Sequence, residues 1–269
     1  MLDTELARTV ADSAPRRGTA RERGRPVFDD GLEVVVASGR DELIAAQKLR
    51  FKVFAEELGA RLDGPIPGVD VDVFDAYCDH LIARHRATRE IVGTYRLLRP
   101  EAVLALGCSY ADSEFDLSAL APLRGQMVEM GRSCVAPEYR SGATIQLLWA
   151  GIARFMSASG YRYLTGCASI PAGDGGHGAA SLYAALAPRH PPPAGLIARP
   201  RQRLPLERLR QDLPVGTPPL IKGYLRCGGK ILGEPAWDRK FGTADILMIL
   251  DLSTMSPRYA RHFFGDGGP

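Results

Sequence analysis

Glu129 stands in the run Val128-Glu129-Met130-Gly131-Arg132. A carboxylate in such a place can hold an organic cation and drain its proton, directly or through water; a structural ion pair with an arginine is the open alternative. Arg132 lies three residues on, and in a regular strand of period two the two side chains would point to opposite faces. Gly131 lies between them, where a β-bulge is cheapest. One extra residue there would swing both side chains to one face and free a backbone N–H able to stabilise an oxyanion; without it Arg132 faces the other side. Asp75 and Asp79 offer a second acidic pair, and Arg50 and Arg96 could fix it or grip a carboxylate by a bidentate contact. Arg50 and Phe54 are four apart and share a helix face, where Phe54 either walls an apolar pocket or is plain core. Tyr139-Arg140-Ser141-Gly142-Ala143-Thr144 reads as a turn feeding a helix, whose free N–H groups and positive end attract phosphate.

The elements that must position these groups follow from periodicity. Residues 32–37 are a β-branched run ended by Ser38-Gly39. Leu43, Ala46, Leu49, Val53, Phe54 and Leu58 then recur at helical spacing over 41–58. The stretch 60–72 is rich in Gly, Pro and Asp and reads as a loop. Residues 80–85 and 91–98 form a hairpin, and 126–136 a strand stopped by Pro137. A helix at 144–156, a strand at 161–168, a short helix at 178–186 and two closing strands at 220–227 and 244–252 complete the expectation. Residues 1–30 read as a disordered Arg-rich tail, 31–256 as one α/β (α+β) domain, 188–219 as a Pro- and Arg-rich insertion or lid, and 257–269 as a C-terminal tail.

Composition narrows the classes. The 269 residues are 45% hydrophobic and 24% charged, enough to bury one sizeable core. No apolar run approaches the roughly 18 residues of a membrane span, and the N-terminus has no secretory segment, so cytoplasmic residence is expected. Five cysteines, scattered and without a Cys-x-x-Cys pair, beside five histidines, read as free thiols rather than a metal site. A net charge of +3 is too small to argue for nucleic acid. Arginines nevertheless crowd the tail (Arg16, Arg17, Arg21, Arg23, Arg25) and the insertion (Arg189, Arg199, Arg201, Arg203, Arg208, Arg210). Such clusters suit an anionic membrane surface or an acidic partner, with solvated loop arginines as the alternative.

The order of elements resembles the GNAT acyltransferases, whose mixed central sheet splays to admit the donor's thioester arm. Four local segments carry a closer resemblance: Leu49-Arg50-Phe51-Lys52-Val53-Phe54; Phe74-Asp75-Ala76-Tyr77-Cys78-Asp79-His80-Leu81; Val92-Gly93-Thr94-Tyr95-Arg96-Leu97-Leu98; and Val128-Glu129-Met130-Gly131-Arg132-Ser133-Cys134-Val135. With Thr144-Ile145-Gln146-Leu147-Leu148-Trp149 and Lys222-Gly223-Tyr224-Leu225-Arg226 they resemble the ornithine N-acyltransferases of ornithine-lipid synthesis, over roughly residues 32–264. Acyl-homoserine-lactone synthases are more distant, since they usually carry a Trp after the first segment's Arg and Phe. Here the tryptophans are Trp149 and Trp237.

The resemblance implies transfer of a 3-hydroxyacyl group from the phosphopantetheine of acyl carrier protein to the α-amine of ornithine. It implies Glu129, Arg132 and Asp79 as catalytic residues, Arg50, Phe54, Asp75 and Arg96 around the substrate, and no metal or diffusible cofactor. Arg50, Asp75, Asp79, Arg96, Glu129 and Arg132 would form one charged cluster. Thr144-Ile145 stands where CoA-using relatives carry a second small residue, which suits the single phosphate of a carrier-protein arm. The enzyme is expected to be cytoplasmic and peripheral at the inner face of the membrane; another N-acyltransferase activity, or a non-catalytic carrier-binding or membrane-binding module, remains the rival.

Overall fold

The computed structural model of the protein describes residues 31–140 and 142–264. The tail at 1–30, Ser141 and residues 265–269 lie outside the described residues. Strand β1 (Leu32–Val36) runs into helix α1 (Arg40–Phe51), and a long irregular loop precedes the hairpin of β2 (Asp79–His85) and β3 (Ile91–Leu98). Helix α2 (Pro100–Leu106), the short strand β4 (Phe115–Asp116) and a 3-10 segment (Ser118–Gln126) lead to β5 (Met127–Val135). Helix α3 (Ala143–Ser159), strand β6 (Tyr163–Pro171) and helix α4 (His177–Leu186) follow. The chain closes with β7 (Arg199–Pro200), α5 (Pro219–Cys227), β8 (Lys230–Ile231), β9 (Ala236–Asp238), β10 (Thr243–Asp251) and α6 (Pro257–Phe264).

The main sheet has the order β1-β2-β3-β5-β6-β10-β8, with β9 also on β10. Its one parallel pair is β5 and β6, joined by the crossover helix α3 as parallel neighbours require. That pairing runs Met127↔Tyr163, Val128↔Leu164 and Glu129↔Thr165, and there it stops. Regular pairing of the two strands therefore ends at Glu129, with their backbones still in close contact one residue further on. A Cβ on Gly166 would sit 2.5 Å from the Met130 carbonyl oxygen, so only glycine allows the backbones so close at this point.

Alternation along the strands separates two large apolar clusters, and a smaller third cluster of Leu49, Val53, Cys134 and Ala136 lies between α1 and β5. Ile246, Met248 and Leu250 of β10 pack with Leu147, Leu148 and Ile152 of α3, Leu182 of α4 and Tyr224 of α5. Leu247 and Ile249 face the other way, with Met127, onto Ala111, Phe115, Leu117, Leu120 and Ala198. Close packing of α3 depends on Gly151, where a Cβ would meet Val34 at 2.4 Å. Among the described residues no helix is long and apolar enough to cross a membrane.

Four expectations are corrected. Residues 220–227, expected as a strand, are helix α5, because Leu220, Ile221, Tyr224 and Leu225 recur at helical spacing and Pro219 sits in the first turn, where its missing N–H does no harm. The expected tail contains α6, whose Phe263 lies 5.9 Å from Trp149 between ring centroids. The helix expected at 41–58 continues past Phe51 as a wide π-turn over Lys52–Glu57. The 188–219 insertion is packed rather than lid-like: Leu204 is 0% exposed, and Leu206 and Ala198 are also core, while Ile197 and Val215 are the exposed large apolar residues.

Candidate active site

Glu129 and Arg132 share one face because β5 bulges between them. The ladder pairs Arg96↔Gly131 and then Thr94↔Cys134, so Arg132 and Ser133 together oppose Tyr95. Arg132 takes the left-handed φ of +50° and is itself the bulged residue. The expected bulge is thus present one residue beyond Gly131. Ser133 turns to the opposite face, toward the buried Tyr95 hydroxyl. Glu129 is 6% exposed, and its carboxylate accepts the backbone N–H groups of Tyr110 at 2.8 Å and Ala111 at 2.7 Å. Burial raises its pKa, against the lowering effect of those two N–H groups and of Arg96.

Beside Glu129 lies a closed network of ions. Arg50, 0% exposed, donates to Asp70 at 2.7 Å and to both oxygens of Asp75 at 2.8 and 2.9 Å. Arg96 reaches Asp72 at 2.6 Å and Asp75 at 3.2 Å, and Arg132 reaches Asp70 at 3.0 Å and Asp72 at 3.1 Å. Three guanidiniums thus face three carboxylates. Burial opposes the charge on Asp75, but the hydrogen bonds and charge of Arg50, with Arg96, overcome it and hold its pKa well below the carboxylate range. The network pins the Gly- and Pro-rich loop onto the sheet. It also sets the aromatic wall: Arg132 lies over Tyr110 and Phe241, and Phe54 meets Phe241 edge-on at 5.8 Å.

Asp79 does not join this network, which corrects the expected cluster. It pairs with Arg99 at 2.6 and 3.1 Å, because strand alternation turns its neighbour His80 toward Asp75 and Asp79 to the other face. Arg50 and Arg96 are engaged with aspartates rather than presented to a ligand. In the turn before α3, Gly142 adopts φ +94° and caps the helix, and the Thr144 hydroxyl donates to the Tyr139 carbonyl at 2.9 Å. Arg140 donates to the Val135 carbonyl and to Glu57 at 2.7 Å. Ala143 opens α3; Ser141 lies outside the described residues. Because α3 follows β5 directly, its N-terminus lies at the end of the sheet where β5 and β6 diverge, the usual ligand end of such crossovers.

Sequence reasoning missed a second set of charges on the same face. The turn whose N–H groups grip Glu129 ends in Glu114, and Glu114 approaches Cys167 of β6 and Asp245 of β10, their ligating atoms all within 4.8 Å. Asp238 completes the group, within 3.5 Å of the Tyr110 hydroxyl. Burial, and then the neighbouring carboxylates, push the pKa of Glu114 well up, and burial does the same for Asp245. One signal was legible: Asp245 interrupts the apolar strand Thr243–Asp251, where a buried charge is rare without a purpose. Glu114, on an irregular turn, gave none.

A mixed sheet whose parallel strands part at a bulge, with a buried glutamate at the parting, defines an acyltransferase of the GNAT class. Residues 49–150 accordingly match the family described as acetyltransferase (GNAT) domain. The chain belongs to the L-ornithine N(alpha)-acyltransferase family. It is 38% identical to the protein of that name from Brucella abortus (strain 2308), over 86% of this chain and 88% of the relative. It is 37% identical to the one from Rhodobacter capsulatus, over 86% and 94%. Among solved structures, a CoA-dependent acyl-homoserine lactone synthase with SAM and isopentyl-CoA superposes with a TM-score of 0.52 at 18% identity, covering 88% of this chain and 90% of that one. That likeness concerns the fold.

Proposed function

We propose that the chain transfers an acyl group, a 3-hydroxyacyl group in the cell, from the pantetheine arm of acyl carrier protein to the α-amine of L-ornithine. The observation that carries this reading is Glu129, buried where β5 and β6 part and raised in pKa. The arm would enter between the strands. Ornithine arrives as an ammonium ion, and the Glu129 carboxylate takes its proton so that the free α-amine can attack the thioester carbonyl. The ladder to β6 ends at Glu129, and backbone N–H groups on that edge of β5 would stabilise the oxyanion of the tetrahedral intermediate. Collapse of that intermediate forms the amide and breaks the C–S bond; the sulfur leaves with the second proton given up by the attacking nitrogen, and Glu129 returns its proton to solvent. The Arg50, Arg96, Arg132 and Asp70, Asp72, Asp75 network positions the bulge and the aromatic wall rather than reacting.

The turn at Tyr139, Arg140, Gly142, Ala143 and Thr144 would take the phosphate of the arm, with Arg140 at the mouth toward the acidic carrier. The product is amphiphilic and would leave for a membrane, toward which the exposed Arg199, Arg201, Arg203 and Arg208 offer positive charge. The experiment is incubation of the pure chain with labelled acyl carrier protein, or with acyl-CoA, and single amino acids. Acyl-ornithine formed preferentially from the carrier is expected; transfer from CoA alone, or to other amines alone, would contradict the reading.

A further inference from the structure

We propose that Glu114, Asp238 and Asp245, beside Cys167, form the subsite that takes the terminal ammonium of a diamino-acid substrate and so selects ornithine over neutral amino acids; this rests on the acyl-acceptor reading above. Both carboxylate oxygens of Glu114 are buried and neither accepts a hydrogen bond. Asp245, 3% exposed, accepts the Thr243 hydroxyl at 2.7 Å and has Ser169 and Glu114 as its other polar neighbours. Among the described residues, no lysine or arginine forms an ion pair with any of the three. A buried orphan carboxylate costs the fold free energy unless a donor arrives to meet it. An alkylammonium ion brings three donors and a positive charge.

Placement favours the same occupant. Thr165 lies directly across from Glu129, and Cys167 follows two residues along β6 on the same face. Two residues of strand span about 6.6 Å, and the two nitrogens of extended ornithine, five bonds apart, are separated by about 6 Å. An ornithine with its α-amine at Glu129 therefore reaches the acidic group with its other end. The same turn ties the two ends together: Tyr110 and Ala111 hold Glu129, and Glu114 ends the turn. The packed 188–219 segment anchors it, since Arg201 donates its backbone N–H to the Glu114 carbonyl at 2.7 Å and its side chain to the Asp112 carbonyl at 2.8 Å.

The test compares ornithine with norvaline, which has the same carbon skeleton without the terminal amine. The pure full chain should bind ornithine at least about 10-fold more tightly than norvaline in calorimetry without donor. Glu114→Gln and Asp245→Asn should cut the ornithine-over-norvaline ratio of kcat/KM by about 10- to 100-fold, chiefly through KM for ornithine. Equal binding of the two amino acids by the parent chain, or an unchanged ratio in both folded variants, overturns the subsite. So does a gain in thermal stability with Zn²⁺ or Mn²⁺ alone that Glu114→Gln abolishes, since the three ligating side chains would then serve a metal. Preference for ornithine in binding, with no amino acid acylated, would sustain the subsite while contradicting the reaction.

Discussion

Two groups of buried charge lie on the same face of the sheet and are built on opposite terms. In one, the guanidiniums of Arg50, Arg96 and Arg132 answer the carboxylates of Asp70, Asp72 and Asp75 one for one. In the other, Glu114, Asp238 and Asp245 meet with no cation among the described residues to answer them. The first is neutralised internally and fixes a loop; the second meets only neutral donors, the backbone N–H groups of Lys240 and Phe241 at Asp238 and the Thr243 hydroxyl at Asp245, and leaves its charge for a ligand. Their pKa shifts say the same: Asp75 is held down by Arg50 and Arg96 despite its burial, while burial and mutual repulsion push Glu114 and Asp245 up. Charge that is balanced internally supports the scaffold, and charge left unbalanced marks where a ligand belongs.

The largest effect should come from breaking the balanced group. Arg50→Met leaves Asp70 and Asp75 buried without their main partner, and should cost about 3–5 kcal/mol in urea unfolding. Glu114→Gln replaces a carboxyl that burial and its neighbours already hold in the neutral form at neutral pH, and should leave stability there close to unchanged. A comparable loss from both variants would erase the contrast.

Next in size is Glu129→Gln, which keeps the shape and the Tyr110 and Ala111 contacts but removes the base. Turnover should fall by about 100-fold with folding intact. Near-normal turnover would take Glu129 out of the chemistry.

A smaller effect separates the groups by pH. Asp75, depressed in the fold, contributes stability that is present above the ordinary carboxylate pKa and lost as pH falls below it. Glu114, Asp245 and Glu129, raised in the fold, contribute stability that is present below the ordinary carboxylate pKa and lost as pH rises through their raised values. Melting temperature should therefore decline on both sides of a mildly acidic optimum. Glu114→Gln should flatten the alkaline side and leave the acid side in place; an unchanged alkaline side would show that Glu114 is not raised. The smallest effect is expected at Arg140, already partnered by Glu57. Arg140→Glu should raise the Michaelis constant for acyl carrier protein only several-fold, and salt should mimic it, because exposed charges are screened within about 10 Å at 0.1 M. Indifference to salt would mean that docking is not electrostatic.

What was legible in the sequence was local. Glu129 and Arg132 with Gly131 between them announced a bulge, and Arg50 announced a buried helix face, because strand and helix periods act over a few residues. The partners were not legible: Asp70 and Asp72 sit in a Gly- and Pro-rich loop, 20 and 24 residues in sequence from the arginines of α1 and β3 that they meet. Asp79 looked as suitable as Asp75, and strand alternation decided between them. Residues 220–227 misled because a short apolar run fits either period, and the burial of Leu204 and Leu206 turned an Arg-rich segment inward that composition alone placed outside.

The most direct measurement is the regiochemistry of the product. The pure chain is given a 3-hydroxyacyl carrier protein and ornithine labelled with ¹⁵N at both nitrogens, and the product is read by NMR. With the α-amine at Glu129 and the other end held by Glu114, Asp238 and Asp245, the account predicts an amide at the α-nitrogen and a free terminal ammonium. An amide at the terminal nitrogen, or no acyl-ornithine at all, would contradict it.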